Sequence, residues 1–334
     1  MGWYKRFFGK SFVMAGVLVV SLGAQADDFT FQDRWLQNGN DIQNTRNAPF
    51  ERKIGPENVG NLFVKWEYLT LPETGGNSAP MGSVAVTPAV DGQFVYFTDW
   101  TGNITKLDRE TGALVWKKNF LNDISAPGYM MNFSTNTPAI VGDILVIGNN
   151  YLVDAPLCEV SGATPTPLGC HQGNGAIVVG LDKNDGSVKW RVKVDDHPSS
   201  KVTGSITAVE PILYVPVGGW EEEWARTYPN IYKKPIDPNS SYPCCSGRGS
   251  VVALLMQKDG PPKQLWKTYM AIGNDANREL KGSARKVLGA EGYWGVSAYG
   301  HAPTVDLRRG LIYVGTTNSR TAPKLVQLCE KARR

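Results

Sequence analysis

The chain has 334 residues, 42% of them apolar and 20% charged, with 36 Gly and 21 Pro. That balance excludes a disordered polymer, and no heptad or Gly-X-Y period makes it a fibre. Its formal charge of +4 comes mostly from Lys5, Arg6 and Lys10; residues 27–334 hold 32 basic against 31 acidic groups, which gives no electrostatic case for nucleic acid.

Residues 1–26 read as a secretory signal. A basic start is followed by an apolar stretch from Phe12 to Leu22, too short to span a bilayer, and then by the small-x-small site Ala24-Gln25-Ala26. No Cys stands there to take a lipid, so the expectation is export, which in a bacterium means the periplasm, with no membrane span after signal removal. Five cysteines fit an oxidising compartment. Cys158 and Cys170 flank a Gly/Pro/Thr-rich loop, Cys244 and Cys245 are adjacent, and Cys329 is left over.

Along residues 27–334 one pattern recurs: a short β-rich run, a turn, a strand ending in Leu-Asp, a Gly turn, and a strand carrying Trp. The first copy runs through Thr87-Pro88-Ala89-Val90, 94–98, 103–108, Gly112 and Trp116. The second takes in Thr137-Pro138-Ala139-Ile140, 144–148, 176–182, Gly186 and Trp190, and the third 212–217, 249–254, Gly260 and Trp266. A fourth opens with Ala302-Pro303-Thr304-Val305 and 311–315, and an earlier run, 62–66, supplies one more Trp. These runs are rich in Val, Ile, Leu and Tyr and bounded by Gly, Asp and Asn, the mark of antiparallel hairpins. A four-stranded unit repeated radially is a β-propeller blade. The fold class is therefore all-β, a propeller in which each Trp stacks on the next blade. Trp spacings of 50, 74 and 76 residues imply long insertions near 149–175 and 218–248.

Leu107-Asp108…Thr111-Gly112…Trp116 and Leu181-Asp182…Gly186…Trp190 resemble the tryptophan-docking repeat of quinoprotein dehydrogenases, eight-bladed propellers that hold pyrroloquinoline quinone (PQQ) on their axis, usually with Ca²⁺. Three further segments are similar to the polyvinyl-alcohol-dehydrogenase-like branch: Trp35-x-x-Asn38-Gly39-x-Asp41-x-x-Asn44-Thr45-Arg46, Cys244-Cys245-Ser246-Gly247-Arg248-Gly249-Ser250-Val251, and Tyr299-Gly300-His301-Ala302-Pro303-Thr304-Val305-Asp306. The 308 residues after the signal hold four to five blades, so the expectation is a partial propeller, incomplete relative to the eight-bladed family.

The resemblance implies a site. In Gly218-Gly219-Trp220-Glu221-Glu222-Glu223, successive carboxylates repel one another unless solvated or neutralised by a cation, and hard oxygen ligands suit Ca²⁺. Glu221 and Glu222 align with the family's metal-binding Glu pair. Asn318, in Gly315-Thr316-Thr317-Asn318, matches its carbonyl-donating Asn, with Thr317 where the family has Gly. The resemblance implies a vicinal disulfide of Cys244 and Cys245 over the cofactor plane, with Arg248 gripping quinone or carboxylate oxygens. Trp294 or Tyr299 would stack beneath the ring system. Arg248 pairing with the Glu run, Asn318 as an ordinary turn residue and cysteines free or bonded elsewhere are the bland alternatives. His171, His197 and His301 show no metal-ligand spacing. The catalytic base is unassigned: the family places an Asp in the blade after the Asn turn, beyond the repeats seen here.

The implied activity is oxidation of secondary alcohols by hydride transfer to PQQ with Ca²⁺ assistance. No Cys-x-x-Cys-His occurs, so electrons would pass to an external acceptor such as a cytochrome c. The rival expectation is a non-catalytic scaffold propeller of the cell envelope.

Overall fold

In a computed structural model the chain is described over residues 34–70, 83–129, 131, 133–150, 175–197, 199–219, 247–271, 294–321 and 331–333. The signal-like stretch, all five cysteines, Glu221 and Glu222 lie outside the described residues.

The first sheet joins β1 (Arg34–Trp35), β2 (Ala89–Asp91), β3 (Phe94–Thr98), β4 (Asn103–Asp108) and β5 (Leu114–Asn119) in that order. The second is β6 (Ala139–Val141), β7 (Ile144–Gly148), β8 (Ala176–Asp182) and β9 (Val188–Asp195). The third contains β10 (Ser200–Lys201), β11 (Thr207–Val209), β12 (Ile212–Gly219), β13 (Ser250–Leu255) and β14 (Lys263–Tyr269), with β10 and β11 both pairing to β12. Two-stranded sheets follow: β15 (Trp294–Gly295) with β18 (Ser319–Thr321), and β16 (Thr304–Asp306) with β17 (Leu311–Tyr313). All these strand pairs are antiparallel.

Period-2 alternation decides how the sheets stack. On β8, Ala176 and Val178 enter a core shared with Val202, Ile206, Leu213, Val215 and Val217 of the third-sheet region. The intervening Ile177, Val179 and Leu181 enter a core shared with Ala89, Tyr96 and Ile104 of the first sheet. The second sheet is thus buried on both faces, which explains its near-continuous apolar strands. Each fully buried Val, Leu or Ile contributes about 1.5–3 kcal/mol, so these two seams dominate the stability.

Tryptophans close the seams as expected for the first two repeats. Trp66 lies against Gly112 and donates Nε1–H to the Arg109 carbonyl at 2.8 Å; Trp116 lies against Gly186 and donates to the Lys183 carbonyl at 3.3 Å. Trp190 is buried in the seam between the second and third sheets. Trp266 differs. It is 39% exposed and packs on Tyr214 of its own sheet, with ring centroids 6.1 Å apart. Among the described residues no third-strand Gly turn follows β16–β17 against Trp266.

A segment read from sequence only as a likeness organises the innermost strands. Residues 34–46 cross all four hairpin units: Arg34 and Trp35 pair with β2, the Leu36 carbonyl accepts from Ile140, Gln37 Oε1 from Ala208, and the Ile42 carbonyl from Val305. Asn44 completes the crossing, its Nδ2 donating to the Ala302 and Pro303 carbonyls and to Thr304 Oγ1 at 3.0–3.3 Å.

Candidate functional site

In every repeat the innermost strand starts, and the second strand ends, at the same end of its sheet, because the two form a hairpin. Hydrogen bonds tie these ends together. Thr98 Oγ1 donates to the Asn136 carbonyl, Asn136 Nδ2 to the Val202 and Gly204 carbonyls, and Gly148 N–H to Asn136 Oδ1.

At this end the third sheet meets the last segments of the chain. Gly219 N–H donates to Ser297 Oγ at 3.1 Å, Ser297 Oγ–H donates back to the Gly219 carbonyl at 3.3 Å, and Ala298 N–H donates to the Val217 carbonyl at 3.3 Å. Gly295 N–H donates to the Gly247 carbonyl and Gly249 N–H to the Gly295 carbonyl, placing Arg248 beside Gly295 in a parallel bridge. Val296 N–H donates to the Asn318 carbonyl at 3.0 Å, and Thr317 N–H to the Ser297 carbonyl at 2.9 Å. Val296 holds a positive φ of 50°, uncommon for a β-branched residue and the mark of a backbone fixed by its neighbours.

The junction therefore brings together Arg248, the backbone of Trp294–Gly295 and Asn318, beside the Gly218-Gly219 strand end. Glu221 and Glu222 lie outside the described residues, two and three positions beyond Gly219; Cys244 and Cys245 do too, three and two positions before Gly247. Tyr299 stands one residue past the junction and is 46% exposed. The Arg248 guanidinium lies 3.8 Å over the Tyr269 ring, and its Nη1 donates to the Ala271 carbonyl at 3.1 Å. These contacts at the end of β14 hold the fork in a fixed orientation. His301 is exposed, and among the described residues no group of three or more His, Cys, Asp or Glu could hold a metal ion.

Sequence reasoning missed Thr203. It is 4% exposed, and among the described residues its Oγ1 has no hydrogen-bond partner. A Cβ on Gly218 would lie 3.1 Å from both Thr203 Oγ1 and Ser297 Cβ, so the Gly holds open the space between them. A buried hydroxyl without a partner costs about 1–3 kcal/mol unless a ligand or water satisfies it. Nothing in a single sequence distinguishes this Thr from its neighbours. Gly218, Gly247, Gly249, Ser297 and Ala298 are buried at the junction, where the glycines admit close backbone packing: a Cβ on Gly249 would lie 2.1 Å from the Val296 carbonyl oxygen. The chemistry that could meet a carboxylate-bearing ligand here is the partnerless Thr203 hydroxyl and the Arg248 guanidinium.

The family model described as outer membrane protein assembly factor BamB matches residues 64–219. The fold is that of quinoprotein β-propellers. Quinohemoprotein alcohol dehydrogenases from Pseudomonas putida HK5 and Comamonas testosteroni each align with TM-score 0.55, at 20% and 16% identity, over 86% and 88% of this chain and 35% and 36% of theirs. A europium-containing methanol dehydrogenase aligns with TM-score 0.53 at 17% identity, over 87% of this chain and 43% of its own. In sequence, polyvinylalcohol dehydrogenase from Pseudomonas sp. is 25% identical over 88% of this chain, and that from Sphingopyxis sp. (strain 113P3) 27% identical over 82%. In sequence the chain is similar to these polyvinylalcohol dehydrogenases, and its fold is shared with the quinoprotein dehydrogenases. It spans 37% and 34% of the length of those two curated relatives.

Proposed function

We propose that this chain carries the cofactor-holding blades of a periplasmic PQQ-dependent alcohol dehydrogenase that acts on secondary alcohols and passes electrons to an external acceptor such as a cytochrome c. The observation that supports this reading is the junction itself: backbone hydrogen bonds join the segments that carry Arg248, Trp294 and Asn318 to the strand end that leads toward Glu221-Glu222, where the buried Thr203 hydroxyl has no described partner. PQQ supplies the hydride-accepting quinone when bound.

The chain's own residues bind and orient. Glu221, Glu222 and the Asn318 side chain supply hard oxygen donors for a divalent or trivalent cation, Ca²⁺ in the first instance. Thr203 Oγ1 donates to a cofactor carboxylate, and Arg248 presents a planar fork to quinone or carboxylate oxygens. Trp294 or Tyr299 would supply an aromatic face for the cofactor, and a vicinal disulfide of Cys244 and Cys245 would cover it.

Titration of the full chain with PQQ in the presence of Ca²⁺, read by quinone absorbance and by quenching of tryptophan fluorescence, tests the assignment. Saturable binding lost on chelation, and weakened about tenfold or more by Thr203→Val or Glu221→Gln, is expected. Absence of PQQ binding in either metal state would leave the scaffold reading, which the match to an assembly-factor family supports. Dye reduction with secondary alcohols is a separate readout, because the base remains unassigned.

A further inference from the structure

The third sheet buries a cation beside the candidate site. Lys201 is 0% exposed, although Lys is among the residue types least often fully buried. On β10 it stands opposite Gly218 of β12 in antiparallel register, with Ser200 opposite Gly219. Directly opposed residues project to one face of a sheet, with Cβ positions about 4.5–5.5 Å apart. Gly218 therefore marks the face that Lys201 enters. The Cβ position of Gly218 lies 3.1 Å from Thr203 Oγ1 and from Ser297 Cβ, so this is the face that holds the hydroxyl without a described partner. A side chain at 218 would fill that space. Its absence leaves the stem of Lys201 room beside Thr203.

We propose that Lys201 and Thr203 form a carboxylate-binding subsite against Gly218, in which the ammonium supplies charge and the hydroxyl supplies direction. The inference rests on the cofactor reading and deepens it: the ligand group is a carboxylate of the quinone, and the site gains a second cation besides Arg248. A buried ammonium is favoured only where oxygen atoms meet it, and a carboxylate accepting from both groups makes charge-assisted bonds. Lys201 engages other groups of the chain too, but an ammonium has more donors than one contact uses. A flat neutral ring gains nothing from either group. The backbone is set in advance. Asn136 Nδ2 donates to the Val202 carbonyl at 2.9 Å and to the Gly204 carbonyl at 3.0 Å, on either side of Thr203, and Thr135 Oγ1 donates to the Thr203 carbonyl at 3.3 Å. Such preorganisation lowers the cost of ordering the site on binding.

Titration of the full chain with PQQ and, separately, with its trimethyl ester tests the subsite, both with Ca²⁺ present. The ester keeps the quinone and masks the carboxylates. The wild type is expected to prefer PQQ by about tenfold or more, and Lys201→Met to lose most of that preference while holding the ester as the wild type does. Thr203→Val, which changes no charge, should narrow the preference as well. The double variant Lys201→Met/Thr203→Val should lose less than the two single losses combined, because both groups hold one carboxylate. A wild type that binds neither form overturns the cofactor reading and this inference with it. A wild type that binds PQQ no better than the ester overturns the subsite alone. So does a Lys201→Met variant that keeps the full preference, or one that loses both forms alike.

Discussion

Gly112 shows how one missing side chain locks two parts of the molecule. Its φ is +73°, a conformation that L side chains rarely adopt, and a Cβ there would sit 2.7 Å from Trp66 Cδ2. Two demands fall on the same atom: a left-handed turn to close the β4–β5 hairpin and a flat floor for the indole. Gly112→Ala meets both penalties, and the rings cannot shift without losing the bond to the Arg109 carbonyl. The expected cost is about 1–3 kcal/mol, read as a lower urea midpoint with unchanged slope. Gly180 offers a contrast. Its φ is ordinary, but a Cβ would lie 2.2 Å from Trp190 Cε2 within the same sheet, so sterics alone hold that position.

At the scale of elements, the hairpin turns share a carboxylate device. Asp108 accepts from the Thr111 hydroxyl and from the Thr111 and Glu110 amides, and these bonds, the hydroxyl first, hold its pKa below the ordinary value. Asp182 accepts from the Asn184 amide and pairs with Lys189, and Asp306 pairs with Arg309; in each case the pKa is lowered, by the amide first in Asp182 and by the guanidinium first in Asp306. A depressed carboxylate stabilises the fold above its unfolded pKa of about 3.9, and that contribution is lost as pH falls through the lower folded value. Thermal midpoints should therefore stay flat across pH 5–8 with respect to these groups and drop below about pH 4; a decline centred near pH 6 would contradict it.

The turns are also where sequence and structure agree best. Strands at Phe94–Thr98, Asn103–Asp108, Ile144–Gly148 and Ala176–Asp182 coincide with their repeat boundaries, because Gly and Asp mark the ends of hairpins locally. The crossing of residues 34–46 was not legible as architecture. It is built from single backbone bonds and Asn side chains, with Asn44 reaching partners 258 to 260 positions away, and such contacts leave no periodicity to read. Of the candidate site, family resemblance pointed to Arg248, Trp294 and Asn318, whereas the partnerless hydroxyl of Thr203 is visible only once the third sheet folds against Ser297.

For the whole molecule, the distribution of shared cores sets the order of opening. The first and second sheets share one apolar seam, the second and third another, and β8 is buried on both sides. Removing either outer sheet would expose a full row of Val, Ile and Leu, so these three open together. The β16–β17 hairpin has no such seam among the described residues: Leu311 is 47% and Tyr313 51% exposed, and only Val305 is buried. What holds it are polar bonds, from Val305 N–H to the Ile42 carbonyl, from Thr207 Oγ1 to the Pro303 carbonyl, and from the Asn44 amide. Each is worth about 1 kcal/mol net. Native-state hydrogen exchange should therefore find 311–313 opening at lower free energy than 176–181. Asn44→Ala should speed exchange at 304–306 while leaving 176–181 unchanged, because the lost bonds belong to the crossing segment and not to the seams. A variant that accelerates both regions equally would mean that residues 34–46 hold all the sheets as one cooperative unit, and the hairpin carrying the route to Asn318 would then be as rigid as the core.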